Sequence, residues 1–301
     1  MPLFSQSGSR ENNFPGEPSS AYTPRVIPEM LLFDIDGVIT EPITGNVELR
    51  VVQEIVALLD KDDPVAFNTG RGLRWVTQDI LPYFEKRISK RNALRNLCIV
   101  YQKGAFRITY SESGELKAPI ASPNIILIPT PLRNEALQLI ATKYAKTMFP
   151  GEEKEAVFSP QFKPNANFYQ YKADQEKLVI DLQTMLHRHN QADQFRIDPT
   201  RIATDIEDKQ LGKALGAQQV LVWLQEQRLQ PEHFIAFGDS KLDIGMAEEI
   251  HRQGFPVEFV FVGEKSQLEG MQFPFPLYST NAFCEQGTVE YLTMRKNGKR
   301  L

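Results

Sequence analysis

Cysteine is scarce in this chain. Its two cysteines, Cys98 and Cys284, stand far apart, each in apolar surroundings. That count excludes a disulfide scaffold and reads as reduced, buried thiols of a cytosolic protein. Histidine is nearly as rare. Of the four, His187 and His189 sit i, i+2 on a predicted helix and diverge, while His233 and His251 read as structural, so a Ser–His hydrolase finds little support. No uninterrupted apolar stretch approaches the ~18 residues of a membrane helix, and the N-terminus lacks a signal-peptide apolar segment. Neither Gly-Lys pair is followed by Ser or Thr, which removes a P-loop, and no dinucleotide-binding glycine signature is present. A formal net charge of -4 gives no drive toward nucleic acid or anionic membrane. The expectation is a soluble cytoplasmic protein whose partner is a small molecule; its oligomeric state is left open.

What is present is an ordinary globular composition, 42% hydrophobic and 24% charged over 301 residues, enough for one large domain or two smaller ones. Residues 1–29 are rich in Ser, Pro, Asn and Gly without apolar periodicity and read as a disordered tail. The first strand then opens at Leu31-Leu32-Phe33 and ends abruptly in Asp34-Ile35-Asp36-Gly37. Side chains two apart on a strand share a face, so Asp34 and Asp36 are expected to project together at its C-terminal tip. Burying two unpaired carboxylates in a core is costly, whereas at the mouth of a sheet they can share a cation and a reacting group.

Strands and helices alternate from here. A helix is predicted over 47–60, a strand at Pro64–Phe67 running into Thr69-Gly70-Arg71, a helix through Trp75 and Leu81, a third strand over 97–101 and a hairpin partner over 106–110. Between about 118 and 207 the texture becomes helix–strand–strand. Helices are expected over 132–149 and 175–189, with short strands near 156–159, 167–171, 195–198 and 202–206. This stretch reads as an inserted α+β domain that splits a core of 30–117 and 208–292. The alternation resumes with a helix over 214–227, a strand over 234–237, a helix over 244–252 and a strand over 257–262. The pattern predicts an α/β fold with a mostly parallel sheet covered on both faces. Residues 293–301 read as a frayed basic tail, and the cations Lys86, Arg87, Lys90, Arg91 and Arg95 as a solvated face. Phe168, Tyr169 and Tyr171 read as insert core or as pocket lining.

The strand over 234–237 ends in Gly238-Asp239-Ser240-Lys241-Leu242-Asp243, again glycine followed by carboxylates. In open α/β sheets functional groups gather beyond the carboxyl ends of the strands. Asp34, Asp36, Thr69 and Asp239 all fall there. Such an all-oxygen set suits Mg²⁺ and suits zinc poorly, because no histidine or cysteine joins it. With its charge neutralised, one aspartate can attack phosphorus while the other exchanges a proton with the leaving group and then with water. Thr69 and the Gly70 amide can donate to phosphoryl oxygens, and Lys213 or Lys209 can supply positive charge.

Four motifs in order, Asp34-Ile35-Asp36-Gly37-Val38, Thr69-Gly70-Arg71, Lys213 and Gly238–Asp243, resemble the haloacid dehalogenase superfamily of aspartyl-phosphate phosphotransferases. The resemblance spans about Met30 to Leu292 and implies a Rossmann-like core with an inserted C2-type cap. That subgroup includes sucrose-phosphate, trehalose-phosphate and mannosyl-phosphoglycerate phosphatases and the phosphomannomutases. It implies a Mg²⁺-dependent phosphatase of a small phosphate monoester, with a phosphomutase or a silent binding protein as the alternatives. By resemblance Asp34 is nucleophile and metal ligand, and Asp36 is general acid/base with its carbonyl on the metal. Thr69 and Lys213 hold the phosphoryl group, and Asp239 binds Mg²⁺ with Asp243 supporting it. Arg71 positions the loop or touches substrate. Three departures stand out: Val38 replaces a common threonine, Leu242 a frequent asparagine, and Lys213 lies about one helical turn early relative to Asp239, which keeps Lys209 in play.

Overall fold

A computed structural model describes residues 23–298. Among the described residues the central sheet has eight strands: β1 (Arg25–Phe33), β2 (Val65–Asn68), β3 (Leu97–Tyr101), β4 (Phe106–Thr109) and β5 (Ile120–Ala121), and three more from the later part of the chain. Between β5 and those three lie β6 (Met148–Phe149), β7 (Val157–Phe158), β8 (Gln161–Phe162), β9 (Phe195–Pro199) and β10 (Thr204–Asp208). The sheet is completed by β11 (Leu229–Gly238), β12 (Val257–Phe261) and β13 (Leu277–Ser279). The spatial order is β13-β12-β11-β1-β2-β3-β4-β5, parallel from β13 through β3, with β4 and β5 antiparallel.

β1 sits at the centre. Leu31 and Phe33 pair in register with Ile235 and Phe237 on one side and with Val65 and Phe67 on the other. Its odd-numbered residues face a layer built from α1 (Leu49–Leu59), α2 (73–85) and a C-terminal helix, and Phe33 stacks on Phe237 at 4.4 Å. Met30 and Leu32 face the opposite layer, which holds the helix that begins at Lys213. Both faces are covered, so the strand reads as a continuous apolar run, each buried phenylalanine contributing about 1.5–3 kcal/mol. α1 starts where the Glu48 side chain accepts from the Arg50 N–H, and Val51, Val52, Ile55, Val56 and Leu59 form its buried stripe.

The insert has a hydrophobic cluster of its own. Helices α3 (130–144) and α4 (Phe168–Arg188) pack Leu132, Ile140, Tyr171, Leu178 and Leu182 against Phe158, Phe195 and Ile206. Its strands form a three-stranded sheet, β7-β10-β9, and a pair, β6-β8. The chain then returns to the core through α5 (Lys213–Glu226), α6 (Ile244–Arg252) and α7 (Cys284–Lys296). Among the described residues no helix is long and apolar enough to cross a membrane.

Several expectations need correction. Part of the supposed tail is strand: Arg25 to Glu29 pair with Leu229 to His233, a ladder with no apolar run to announce it. The rest of that tail, 1–22, lies outside the described residues, as do 299–301. α7 runs on to Lys296, with Arg295 paired to Glu29 and Lys296 to Glu54. The helix expected over 132–149 stops at 144, and Met148–Phe149 pairs with Gln161–Phe162. The strand expected over 167–171 is helix. Asn167 caps it by accepting from the Gln170 N–H at 2.9 Å, outweighing the aromatic run that suggested a strand. Ile120 and Ala121 belong to the large sheet, past the boundary expected at 117. Both cysteines are free, but Cys284 is only half-buried at the start of α7; burial pushes the Cys98 thiol up to about 12.

Candidate active site

Three strand tips meet at one edge of the sheet. β1 stops at Phe33, and the Asp34 N–H donates to the Phe237 carbonyl at 3.0 Å. Asp34 continues the even-numbered face and therefore turns toward α5. The Lys213 ammonium lies 2.5 Å from Asp34 Oδ1 and 2.8 Å from Asp243 Oδ1, and donates to the Asn68 carbonyl at 2.8 Å. Asp243 is almost fully buried; its Oδ2 accepts from the Ser240 N–H at 3.0 Å and hydroxyl at 2.7 Å. Gly37 lets the chain leave β1 with φ +70, and a Cβ there would fall 2.3 Å from Asp239 Oδ2. Both conditions restrict the position to glycine.

Electrostatics follow from this crowding. Burial pushes the Asp34 carboxyl well above its usual range, with Lys213 pulling back and Asp243 and Asp36 adding to the rise. Burial and then Asp243 push Asp239 up to about 7. Asp243 goes the other way: burial would raise it, but Lys213 and the Ser240 bonds hold it down. Burial works against the Lys213 charge too, yet Asp243 and Asp34 keep the ammonium firmly protonated. One oxygen from each of Asp34, Asp239 and Asp243 lies within 4.8 Å of the others. Three carboxylates facing one ammonium leave excess negative charge, and the donors are all hard oxygens. That set fits Mg²⁺.

Asp36 does not join it. Regular strand ends before Asp36, so the two-residue periodicity no longer applies. Its carboxylate turns to Arg71, which grips it through Nε at 3.0 Å and Nη2 at 2.6 Å and lies 4.7 Å over the Trp75 ring. Thr69 is fully buried at the tip of β2, its Oγ1 accepting from the Arg71 N–H at 3.1 Å. The two candidate lysines are placed apart: the Lys209 ammonium donates to the Ala192 carbonyl of the insert, while Lys213 touches the carboxylates.

Several residues at the site gave no sequence signal. Lys154 of the insert is buried and donates to the Gly70 carbonyl at 3.0 Å; burial pushes its ammonium below the usual range. Glu152 Oε2 accepts from the Gly72 N–H at 3.1 Å, and its Oε1 is buried with no hydrogen-bond partner among the described residues. The run Glu152-Glu153-Lys154-Glu155 resembles any solvated charged stretch, so only tertiary contact reveals it. Asn68 reads as one more strand residue, yet it contacts Lys213.

No family model and no curated protein matches the chain. Solved structures do. A haloacid dehalogenase-like hydrolase from Bacteroides thetaiotaomicron superposes with a TM-score of 0.57 over 89% of this chain and 100% of its own, at 12% identity. The fold is that of the haloacid dehalogenase-like hydrolases. Trehalose-6-phosphate phosphatase from Aspergillus fumigatus is similar over 90% of this chain and 93% of its own, at 14% identity and a TM-score of 0.53. An N-terminally truncated, IMP-bound IMP-nucleotidase from Plasmodium falciparum gives the same identity and score over 90% of this chain and 68% of its own. Within this haloacid dehalogenase-like fold the Asp34–Lys213–Asp239 cluster lies at the C-terminal ends of β1 and β11, where α/β sheets of this kind carry their ligands.

Proposed function

We propose that the protein is a Mg²⁺-dependent phosphatase of a small phosphate monoester, a sugar phosphate or a similar metabolite, acting through an aspartyl-phosphate on Asp34. The observation that carries this reading is the Lys213 ammonium 2.5 Å from Asp34, with Asp239 and Asp243 alongside. Asp34 and Asp239 would hold the ion together with the Asp36 main-chain carbonyl, and Asp243 supports them by fixing Lys213 and Ser240. Bound Mg²⁺ supplies positive charge to the phosphoryl oxygens and to the Asp34 carboxylate.

Asp34 then attacks phosphorus, and the ester oxygen departs with the bonding electrons and a proton from Asp36. A water next attacks the acyl phosphate, giving its proton to Asp36 and regenerating Asp34 with release of phosphate. Lys213 and the Thr69 hydroxyl hold phosphoryl oxygens. Arg71 must loosen its grip on Asp36 for this cycle, and the dianionic substrate offers the guanidinium a second bidentate partner. The insert serves as a C2-like cap that keeps bulk water out. Glu152 Oε1, a buried acceptor with no donor among the described residues, favours a substrate that carries a hydroxyl.

The test is phosphate release from a panel of phosphorylated sugars and metabolites, with and without Mg²⁺. Release that requires Mg²⁺ and disappears in Asp34→Asn supports the reading. Equal release by that variant removes Asp34 as nucleophile.

A further inference from the structure

Gln102, Lys103 and Gly104, directly after β3, have φ values of +49, +56 and +94. Two consecutive non-glycine residues in the left-handed region persist only where the surroundings hold them there, and such strain gathers at functional sites. Here the main chain is bound to two parts of the phosphoryl site. The Gln102 N–H donates to the Arg71 carbonyl at 2.9 Å and the Lys103 N–H to the Thr69 carbonyl at 3.0 Å. The Lys103 carbonyl accepts from the Gly212 N–H at 2.7 Å, one residue before Lys213. A Cβ on Gly104 would sit 2.7 Å from the Gly216 nitrogen of α5, so the turn also lies directly against the lysine helix.

The side chains of the same turn reach the other way, into the insert. Gln102 Oε1 accepts from the Ala156 N–H at 2.9 Å, and Gln102 Nε2 donates to the Glu155 carboxylate. The Lys103 ammonium lies 2.7 Å from Asp205 Oδ2, 2.6 Å from Glu207 Oε2 and 3.7 Å from Asp198, all on β9 and β10. Glu207 is wholly buried and Asp205 nearly so. Arg196 and Ser159 take one oxygen of Glu207 and Asp205 respectively, and the other oxygen of each faces Lys103. Burial alone would drive a proton off Lys103, but Asp205 and Glu207 outweigh it. One core lysine, with Arg196 on the far oxygen of Glu207, thus offsets the charge of two insert carboxylates that are crowded together out of water.

We propose that Lys103 is the latch of the insert and a positioning residue for the phosphoryl site: seating of the insert on Lys103 fixes the 102–104 turn, which in turn fixes Thr69–Arg71 and the start of α5. The latch acts through Thr69 and Lys213 and does not itself touch the reacting atoms. The proposal rests on the phosphatase reading for its kinetic consequence only; the mechanical coupling stands or falls without substrate.

Amide hydrogen exchange of the full chain, wild type against Lys103→Met, tests it. Exchange at the amides of Gln102, Lys103, Ala156 and Gly212 is expected to accelerate at least ~10-fold while Leu31 to Phe33 stay unchanged. Lys103→Arg should restore slow exchange. In the phosphate-release assay Lys103→Met should lower kcat by a larger factor than it changes KM, with Lys103→Arg recovering most of the loss. Unchanged exchange at the four amides overturns the proposal. So does equal acceleration in β1, which would mean general destabilisation, or a change confined to KM. If Lys103→Met does not fold, the double variant Lys103→Met/Asp205→Asn, which removes one buried carboxylate with the ammonium, is judged by the same amides. Absence of phosphate release by wild type would sink the phosphatase reading while the exchange result still decides the latch.

Discussion

Asn68 and Lys213 hold each other at both ends. The Asn68 side-chain amide donates to the Lys213 main-chain carbonyl at 2.9 Å, and the Lys213 ammonium donates to the Asn68 main-chain carbonyl at 2.8 Å. The first bond sets the start of α5 and the second aims its lysine at Asp34. Asn68→Ala should lower stability by about 1–3 kcal/mol through the unmade bond. By loosening the start of α5 it should also slow phosphate release ~10–100-fold, although the main-chain bond to the ammonium remains. Thermal unfolding and initial rates measure both, and an unchanged rate would mean that the Asn68 main-chain carbonyl, Asp34 and Asp243 hold Lys213 in place without the side-chain amide.

Gly37→Ala tests how tightly the strand tip is packed. A left-handed φ costs an L-residue about 1–2 kcal/mol, and the new methyl would sit against Asp239 Oδ2. Displacing that carboxylate should weaken Mg²⁺ binding ~10–100-fold, read by titration calorimetry. Affinity equal to wild type would place Asp239 outside the metal site.

Arg71 holds Asp36 with a planar fork, and in the proposed cycle that fork passes to the phosphoryl group, where lysine cannot reproduce it. Arg71→Lys is therefore expected to lose nearly as much kcat/KM as Arg71→Ala, ~10–100-fold for the charge-assisted contact to substrate. Full activity in the lysine variant would reduce Arg71 to a source of charge.

Glu152→Gln keeps an oxygen for the Gly72 N–H and puts an NH2 donor where Oε1 stood. KM for a sugar phosphate should rise ~10-fold, while an aryl phosphate without hydroxyls should be turned over as before. Equal effects on both substrates would argue against recognition of hydroxyls by this side chain.

Glu48 caps α1, and its hydrogen bond to Arg50 holds its carboxyl down at about 2. Its folded value lies below the unfolded value of ~4.3, so its stabilisation is complete above that pH and is lost as pH falls through about 2. The melting-temperature gap between wild type and Glu48→Gln should therefore be widest above pH 5 and close toward pH 2. A gap that persists in acid would assign it to packing.

Local pattern carried much of this molecule. The apolar runs of β1, β2 and β11, each ending in glycine and polar residues, placed Asp34, Thr69 and Asp239 at strand tips, because a strand buried on both faces must be apolar and its end must turn. The expectation of an α/β, mostly parallel sheet followed from the same runs. Elements in the insert were harder: Phe168, Tyr169 and Tyr171 favour strand locally, and only the cap at Asn167 together with packing on Leu132 and Ile206 selects helix.

The sequence by itself determined which residues could do chemistry and that their donors were hard oxygens. Tertiary structure alone decided how they pair. Asp34 and Asp36 looked equivalent, yet the turn after Phe33 sends one to Lys213 and the other to Arg71. Lys213 was the favoured lysine with Lys209 as its substitute, and the start of α5 aims the first at the carboxylates while the second lies on the insert. Gln102-Lys103-Gly104-Ala105 belonged to the family resemblance without a role for Lys103, and Glu152 and Lys154 were invisible as functional residues, because a charged side chain in a short polar run carries no periodic signal. Their contacts are with partners 80 to 102 residues away, and only folding brings those partners within reach.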